Sequence, residues 1–402
     1  MKIGILAGEI PPPHFIHQLV CNIAEREHTI FLYGSLKKKN FSYSNSSIIL
    51  RVKPRNKVSI FFKTILLIIK LMYINGYSSL QLLSQIWINK QRIGTFIKRC
   101  CTVLPAFLDN LDIFHIQWAK TLVYYPEFID KLRCPIILSL RGTHINVSPL
   151  ADQKLTLLYR RYFPKINGLH AVSKSIVKKA TKYGVDADKI TIINPAVDEK
   201  LLDSKPQRKS IENSDMLKII SVGRCHWIKG YTFALDAMNI LKKEGIQFHY
   251  TIIAGGRDHE NIHFQIHDLG LKNYITFLNE LPHYQVIEML SECNLFILPS
   301  IEEGISNSVL EAMAVGVPVI STDCGGMVEV IKHGENGFIV PVRDPESMAD
   351  TIQKFQHLDE TDKMIIVNNA KGTIISHHLI HDQVVRFKSF YSNIIKSYTF
   401  SG

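Results

Sequence analysis

With 402 residues, 46% of them hydrophobic and 21% charged, the chain is long enough for two packed cores and too apolar for a disordered or fibrous class. Its formal net charge of +11 is unevenly spread: residues 1–200 hold 29 Lys and Arg against 12 Asp and Glu, and residues 201–402 hold 18 against 24. Seven scattered cysteines with no CxxC pair exclude zinc-finger spacing and read as reduced thiols of a cytosolic protein.

The first apolar run, Lys2–Ala7, is followed at once by Glu9 and three prolines. A secretory core would be longer and would end in small residues, so this run reads as a first core strand. Further β-branched runs follow at Thr29–Gly34, Ser47–Val52, Asp112–Trp118, Pro135–Arg141, Gly168–Ser173 and Ile190–Val197. A second series comprises Leu217–Gly223, Phe248–Gly255, Tyr274–Leu278, Asn294–Pro299, Pro318–Asp323 and Asn336–Val342. Most are continuously apolar, the pattern of parallel strands covered on both faces. Helical stretches such as Tyr231–Glu244, Tyr284–Cys293 and Ser308–Val315 alternate with them, which predicts an α/β chain of two Rossmann-like doubly wound sheets. The expected division is an N-terminal domain over 1–200, a polar linker over 201–216, a second domain over 217–378 and a C-terminal helix over 379–402.

The stretch Ser59–Ile74 is too short to span a bilayer and carries Lys63 and Lys70 on one helical face. It reads either as a helix in a membrane interface, its lysines reaching phosphates, or as a buried helix with two snorkelling lysines. No acid occurs between Glu27 and Asp109, and so basic a field points to an anionic partner.

Three motifs carry chemistry. Gly223-Arg-Cys-His-Trp-Ile-Lys-Gly230 closes a predicted strand and opens a helix, and Arg224 and Lys229 there suit a diphosphate. Pro299-Ser-Ile-Glu-Glu-Gly-Ile-Ser-Asn-Ser-Val-Leu-Glu311 sets Glu303 in a loop and Glu311 in about the first turn of the next helix. Residues Gly304, Ile305, Ser306, Asn307, Ser308 and Val309 offer backbone amides to phosphate, and Glu311 could accept both hydroxyls of a ribose. Ser308-x-x-Glu311 also reads as a capping box, and Glu303 as a turn acid. The third motif, Cys324-Gly-Gly-Met-Val-Glu329, allows close backbone approach or is a plain turn.

Residues 217–350 resemble the C-terminal domain of family-four retaining glycosyltransferases, which have the GT-B fold. The resemblance rests on GRxxxxKG at Gly223–Gly230, the strand ending Ala254-Gly-Gly256 and PSxxEG at Pro299–Gly304. It also rests on LEAMAxGxPVI at Leu310–Ile320, the GGxxE turn and the GxNGFIV run. It implies that Arg224 and Lys229 bind the donor diphosphate, Glu303 the transferred sugar and Glu311 the ribose, with Ser306–Val309 placing amides on the distal phosphate. It implies a nucleotide-diphosphate sugar as donor substrate, no further cofactor and no metal. Asp186-Ala-Asp188 lies in a linker-like segment far from these motifs and is not read as a metal site.

The first half departs from the family. Its first loop is proline-rich, leaving Gly8 as a contact, and Arg141 occupies the place of the family's usual histidine, with His144 and His115 as further candidates. The expected partners are a glycan or lipid-linked acceptor and an anionic membrane surface on the inner face of the cytoplasmic membrane. Nucleic acid is not expected, since no recognised module accompanies the charge. Lack of GxGxxG after the first strand argues against a nicotinamide enzyme. A binding protein without transfer activity, or a GT-B epimerase, are the alternatives.

Overall fold

The computed structural model describes residues 1–24, 28–37, 41–87, 92–204, 216–256 and 259–400. Most of the predicted 201–216 linker lies outside them. The chain divides into two compact units. One comprises Met1–Val172, Ile176–Ile193 and Val384–Gly402; the other comprises Ser173–Ser175 and Asn194–Gln383.

In the first unit seven parallel strands form one sheet: β1 (Lys2–Ile10), β2 (Thr29–Leu36), β3 (Ile48–Lys53), β4 (Ile113–Ile116), β5 (Ile136–Leu140), β6 (Gly168–Ala171) and β7 (Ile190–Ile192). Their order is β3-β2-β1-β4-β5-β6-β7, so the chain reverses direction across the sheet between β1 and β4. Every residue of β4, β5 and β6 is buried, as continuous apolar runs require in a sheet covered on both sides. The second unit repeats the plan with β8 (Leu217–Arg224), β9 (Phe248–Gly255), β10 (Ile275–Leu278), β11 (Leu295–Leu298), β12 (Val319–Thr322) and β13 (Phe338–Val340). Its order is β10-β9-β8-β11-β12-β13, all pairs parallel, with the reversal between β8 and β11. Ligands of such sheets bind beyond the carboxyl ends of the strands at that reversal.

Two helices show a local cause at their starts. The Lys57–Asn75 helix starts where the Asn56 side chain accepts from Val58 N, and stops at Gly76, whose φ of 47° few other residues tolerate. The Pro345–His357 helix starts where Asp344 accepts from Ser347 N and places proline in the first turn. The last helix, Ile380–Phe400, begins in the second unit, and from Val384 onward packs within the first. Gly168 permits that packing, since a Cβ there would come within 2.9 Å of Ile394 Cδ1. No helix of the described residues is long and apolar enough to cross a membrane.

Candidate functional site

The loops leaving β8 and β11, the two strands that flank the reversal in the second unit, lie side by side. Ile301 N donates to Ile228 O at 2.7 Å, and Ser308 Oγ donates to Val222 O at 3.1 Å. Gly230, at φ 65°, lets the first loop press on the second: a Cβ there would stand 1.9 Å from Pro299 O. Gly223 makes room for Lys229, whose Cε would lie 3.2 Å from an added Cβ.

Lys229 Nζ meets Glu303 Oε1 at 2.5 Å, and both side chains are 14% exposed. Ser300 Oγ donates to the same carboxylate oxygen at 2.9 Å. Two residues 74 positions apart are thus joined in a partly desolvated pair, where Coulomb attraction is stronger than in water. Arg224 ends β8 exposed, and its guanidinium has no hydrogen bond or ion pair among the described residues. Burial first, then the nearby Arg224 and Lys229 cations, hold His226 below the usual imidazole range.

The helix Asn307–Val315 starts one residue earlier than the spacing predicted, with Ser306 in the capping position. Ser308 is therefore inside the first turn and does not cap, which removes the capping-box reading. Glu311 is the fifth helical residue and stands in the second turn, not the first. Its carboxylate pairs with His283 Nε2 at 2.9 Å from the helix His283–Glu292, a partner 28 residues away that the sequence reading missed. Of the predicted loop amides, Gly304, Ile305 and Ser306 precede the helix, and Ser306 N is taken up by Met327 Sδ at 3.3 Å. Asn307, Ser308 and Val309 supply the first helical N–H groups, which have no acceptor inside the helix. The Asn307 Oδ1 is buried without a hydrogen-bond partner among the described residues. Lone amides and the positive end of a helix make an anion site.

The paired glycines brace this loop from behind. A Cβ on Gly325 would lie 1.9 Å from Glu303 O, and one on Gly326 would lie 1.8 Å from Gly304 O. Glu329 of the same motif accepts from Lys174 N and Ser175 N, both at 2.8 Å, and so serves a structural purpose. Burial pushes the Cys324 thiol up to about 12.

In the first unit Gly8, Arg141 and His144 gather at the carboxyl ends of β1 and β5. Gly8 lies within β1 at φ 89°, where the β1–β2 register shifts, not in a following loop. The Arg141 guanidinium sits 4.9 Å over the Phe15 ring and donates to Gln117 Oε1 at 3.2 Å. Its Nε is buried without a hydrogen-bond partner among the described residues, and burial pushes its pKa down to about 10, still protonated at neutral pH. The His144 ring meets Trp118 edge-on at 5.5 Å, and Trp118 meets Phe15 at 6.0 Å. Phe15 and Trp118 line this group and were not among the predicted residues.

His115 belongs elsewhere. It is fully buried in a chain of hydrogen bonds: Tyr391 Oη to His115 Nδ1 at 2.7 Å, His115 Nε2 to Ser139 Oγ at 2.8 Å, Ser139 Oγ to His170 Nδ1 at 2.8 Å and His170 Nε2 to Ile193 O at 2.9 Å. The terminal carbonyl can only accept, so His170 donates from Nε2, Ser139 donates to His170, and His115 donates to Ser139. Tyr391 must then donate to His115 Nδ1. Both imidazoles are neutral in this arrangement, and burial lowers the pKa of each, that of His170 to about 3. His115 is structural.

Comparison with known proteins agrees with this fold. The family described as Glycosyl transferases group 1 matches residues 203–372, and Glycosyltransferase Family 4 matches residues 75–201. WcaL of Escherichia coli K12, which carries the provisional name of a colanic acid biosynthesis glycosyltransferase, is 28% identical over 71% of this chain and 70% of its own. AmsK of Erwinia amylovora, an amylovoran biosynthesis glycosyltransferase, is 28% identical over 69% of each chain. Among solved structures, Anabaena HepE in complex with UDP superposes with a TM-score of 0.70 at 18% identity, covering 98% of this chain and 100% of that one. Its two-unit GT-B fold is the fold described above.

Proposed function

The chain is a family-four glycosyltransferase, and from that premise we propose that its second unit binds a nucleoside-diphosphate sugar and gives up the sugar with retained anomeric configuration, without a metal ion. The acceptor we propose is a growing polysaccharide or a lipid-linked glycan, handled in the cytoplasm at the inner face of the cytoplasmic membrane. The relatives named for colanic acid and amylovoran assembly support the acceptor class. The UDP complex of HepE supports the donor class.

One observation carries the donor assignment. A cation (Lys229), an acid (Glu303) and the start of the Asn307–Val315 helix converge at the strand reversal of the second sheet. Breaking the sugar–phosphate bond loads negative charge on the leaving diphosphate. Donors already in place stabilise that charge more than they stabilise the ground state. Arg224, Lys229 and the amides of Asn307–Val309 are those donors. In this reading Lys229 and Glu303 serve opposite ends of one bond, the cation on the phosphate and the acid on the sugar, and their contact supports placing them in one site. Glu311, steadied by His283, takes the ribose. In the first unit, Arg141 and His144 are the further catalytic groups of this reading, and the backbone at Gly8 is a donor contact.

A thermal-shift screen of nucleotide sugars tests this reading, followed by release of nucleoside diphosphate in the presence of acceptor. Glu311→Ala weakens donor binding, whereas Glu303→Ala mainly lowers turnover. Both variants matching the parent in binding and in rate would refute the site.

A further inference from the structure

The Lys57–Asn75 helix is apolar on two sides. Its inner side packs in the ordinary way: Ile60, Thr64 and Leu71 are buried, and Leu67 and Ile68 lean on the core of the first unit. Its outer side repeats that chemistry where a surface helix would carry charge. Val58, Phe62, Ile65, Leu66, Ile69 and Tyr73 recur at three- and four-residue steps, and all are exposed, Leu66 by 68% and Tyr73 by 92%. At 1.5 Å per residue the stripe runs about 22 Å. The alternative of a buried helix with two snorkelling lysines does not hold. Contiguous apolar surface of this extent marks a binding face.

Charge decides what covers it. Residues 28–108 contain thirteen Lys and Arg and not one Asp or Glu. Lys63 and Lys70 run along one border of the stripe; Lys63 Nζ holds Val52 O at 2.7 Å and Lys70 is exposed. Lys98, on the neighbouring helix Ile93–Leu108, is also exposed. A second copy of the chain seated here would set these cations against themselves. A lipid surface with anionic headgroups offers acyl chains to the stripe and phosphates to the lysines.

We propose that the Lys57–Asn75 helix lies in the plane of an anionic bilayer, its outer stripe sunk among the acyl chains and its lysines at headgroup level. This deepens the membrane placement proposed above by naming the surface responsible, and it does not depend on the donor site.

The test is sedimentation of the full chain with phosphatidylcholine vesicles, with and without phosphatidylglycerol. The parent pellets with the anionic vesicles, and raised salt weakens this. The double variant Phe62→Glu, Leu66→Glu loses at least about tenfold in partition, and Lys70→Glu loses less. Nucleotide-dependent thermal shift of each variant reports that the second unit remains folded and competent. No pelleting of the parent, or equal pelleting of parent and double variant, overturns the proposal. So does a parent dimer, without vesicles, that the double substitution converts to a monomer, since the face then belongs to a second copy. A parent that pellets but binds no nucleotide supports this surface and refutes the donor reading alone.

Discussion

Gly326→Ala separates the backbone of the donor loop from its side chains. Gly326 has a φ of −87°, which any residue adopts, so alanine brings no backbone strain of its own. Its Cβ would stand 1.8 Å from Gly304 O, whereas real Cβ contacts stay at or above 3.0 Å. The Gly304 carbonyl must therefore retreat by about 1.2 Å, taking with it the segment that leads into the Asn307 amides. Overpacking of this kind costs about 1–3 kcal/mol of stability. A displacement of about 1 Å at a reacting centre costs about 100-fold in rate. The expected variant is folded, melts lower, binds nucleoside diphosphate more weakly in calorimetric titration and turns over about 100-fold slower. Gly334→Ala is the control: it sits at φ 80° with nothing within 4 Å of an added Cβ, so it pays only backbone strain of about 1 kcal/mol and leaves binding and turnover alone. Parent-like affinity and rate in Gly326→Ala, or equal damage from Gly334→Ala, would refute the reasoning.

Further outcomes follow from the same geometry. Lys229→Met removes a charge-assisted bond worth about 1.5–3 kcal/mol and leaves Glu303 facing the phosphates, so donor affinity falls by about ten- to a hundredfold in titration. Glu303→Gln keeps partners for Ser300 and Lys229 and is read in turnover, with affinity near that of the parent. For acid stability the sign is as follows: His115 and His170 have folded pKa values below the unfolded value of about 6.5, so the unfolded chain binds more protons below that pH. Stability is then full above pH about 6.5 and falls toward pH about 3, by up to about 1.4 kcal/mol per pH unit for each histidine. Melting curves between pH 7 and 5 check this, and a flat profile contradicts it. Alkylation mapped by mass spectrometry at neutral pH finds Cys100, Cys134, Cys293 and Cys324, all raised to about 12 by burial, much slower than half-buried Cys21 and Cys225.

The strands were legible because parallel strands buried on both faces leave uninterrupted apolar runs, which periodicity detects directly. Their ends were less so: Asp112–Trp118 contracts to Ile113–Ile116, since the outer residues leave the ladder for loops. The sequence put Lys229 and Glu303 in one donor site through the family resemblance, but not their direct pairing, which depends on β8 and β11 being neighbours in the sheet. The Glu311–His283 pair was not legible, because nothing in the spacing of 28 residues links two helices. The helix start at Asn307 was misjudged by one residue because Ser306 and Ser308 are equally good caps on composition, and the backbone chose Ser306. In the Ser59–Ile74 stretch the helical period was visible, but a helix apolar on both sides does not reveal which side meets the core. Which histidine is structural was equally hidden, as the partner of His115 lies 276 residues away at Tyr391.

The one-way polarity of the Tyr391–His115–Ser139–His170 chain bears on the order in which the protein matures. The first unit is built almost entirely from residues 1–193, yet the hydroxyl that donates to His115 belongs to residues 384–400. Without those residues His115 Nδ1 would keep, among the described residues, only the more distant Gln117 Nε2, at 3.2 Å. Closure of the first unit therefore draws on a helix that is synthesised after the second unit.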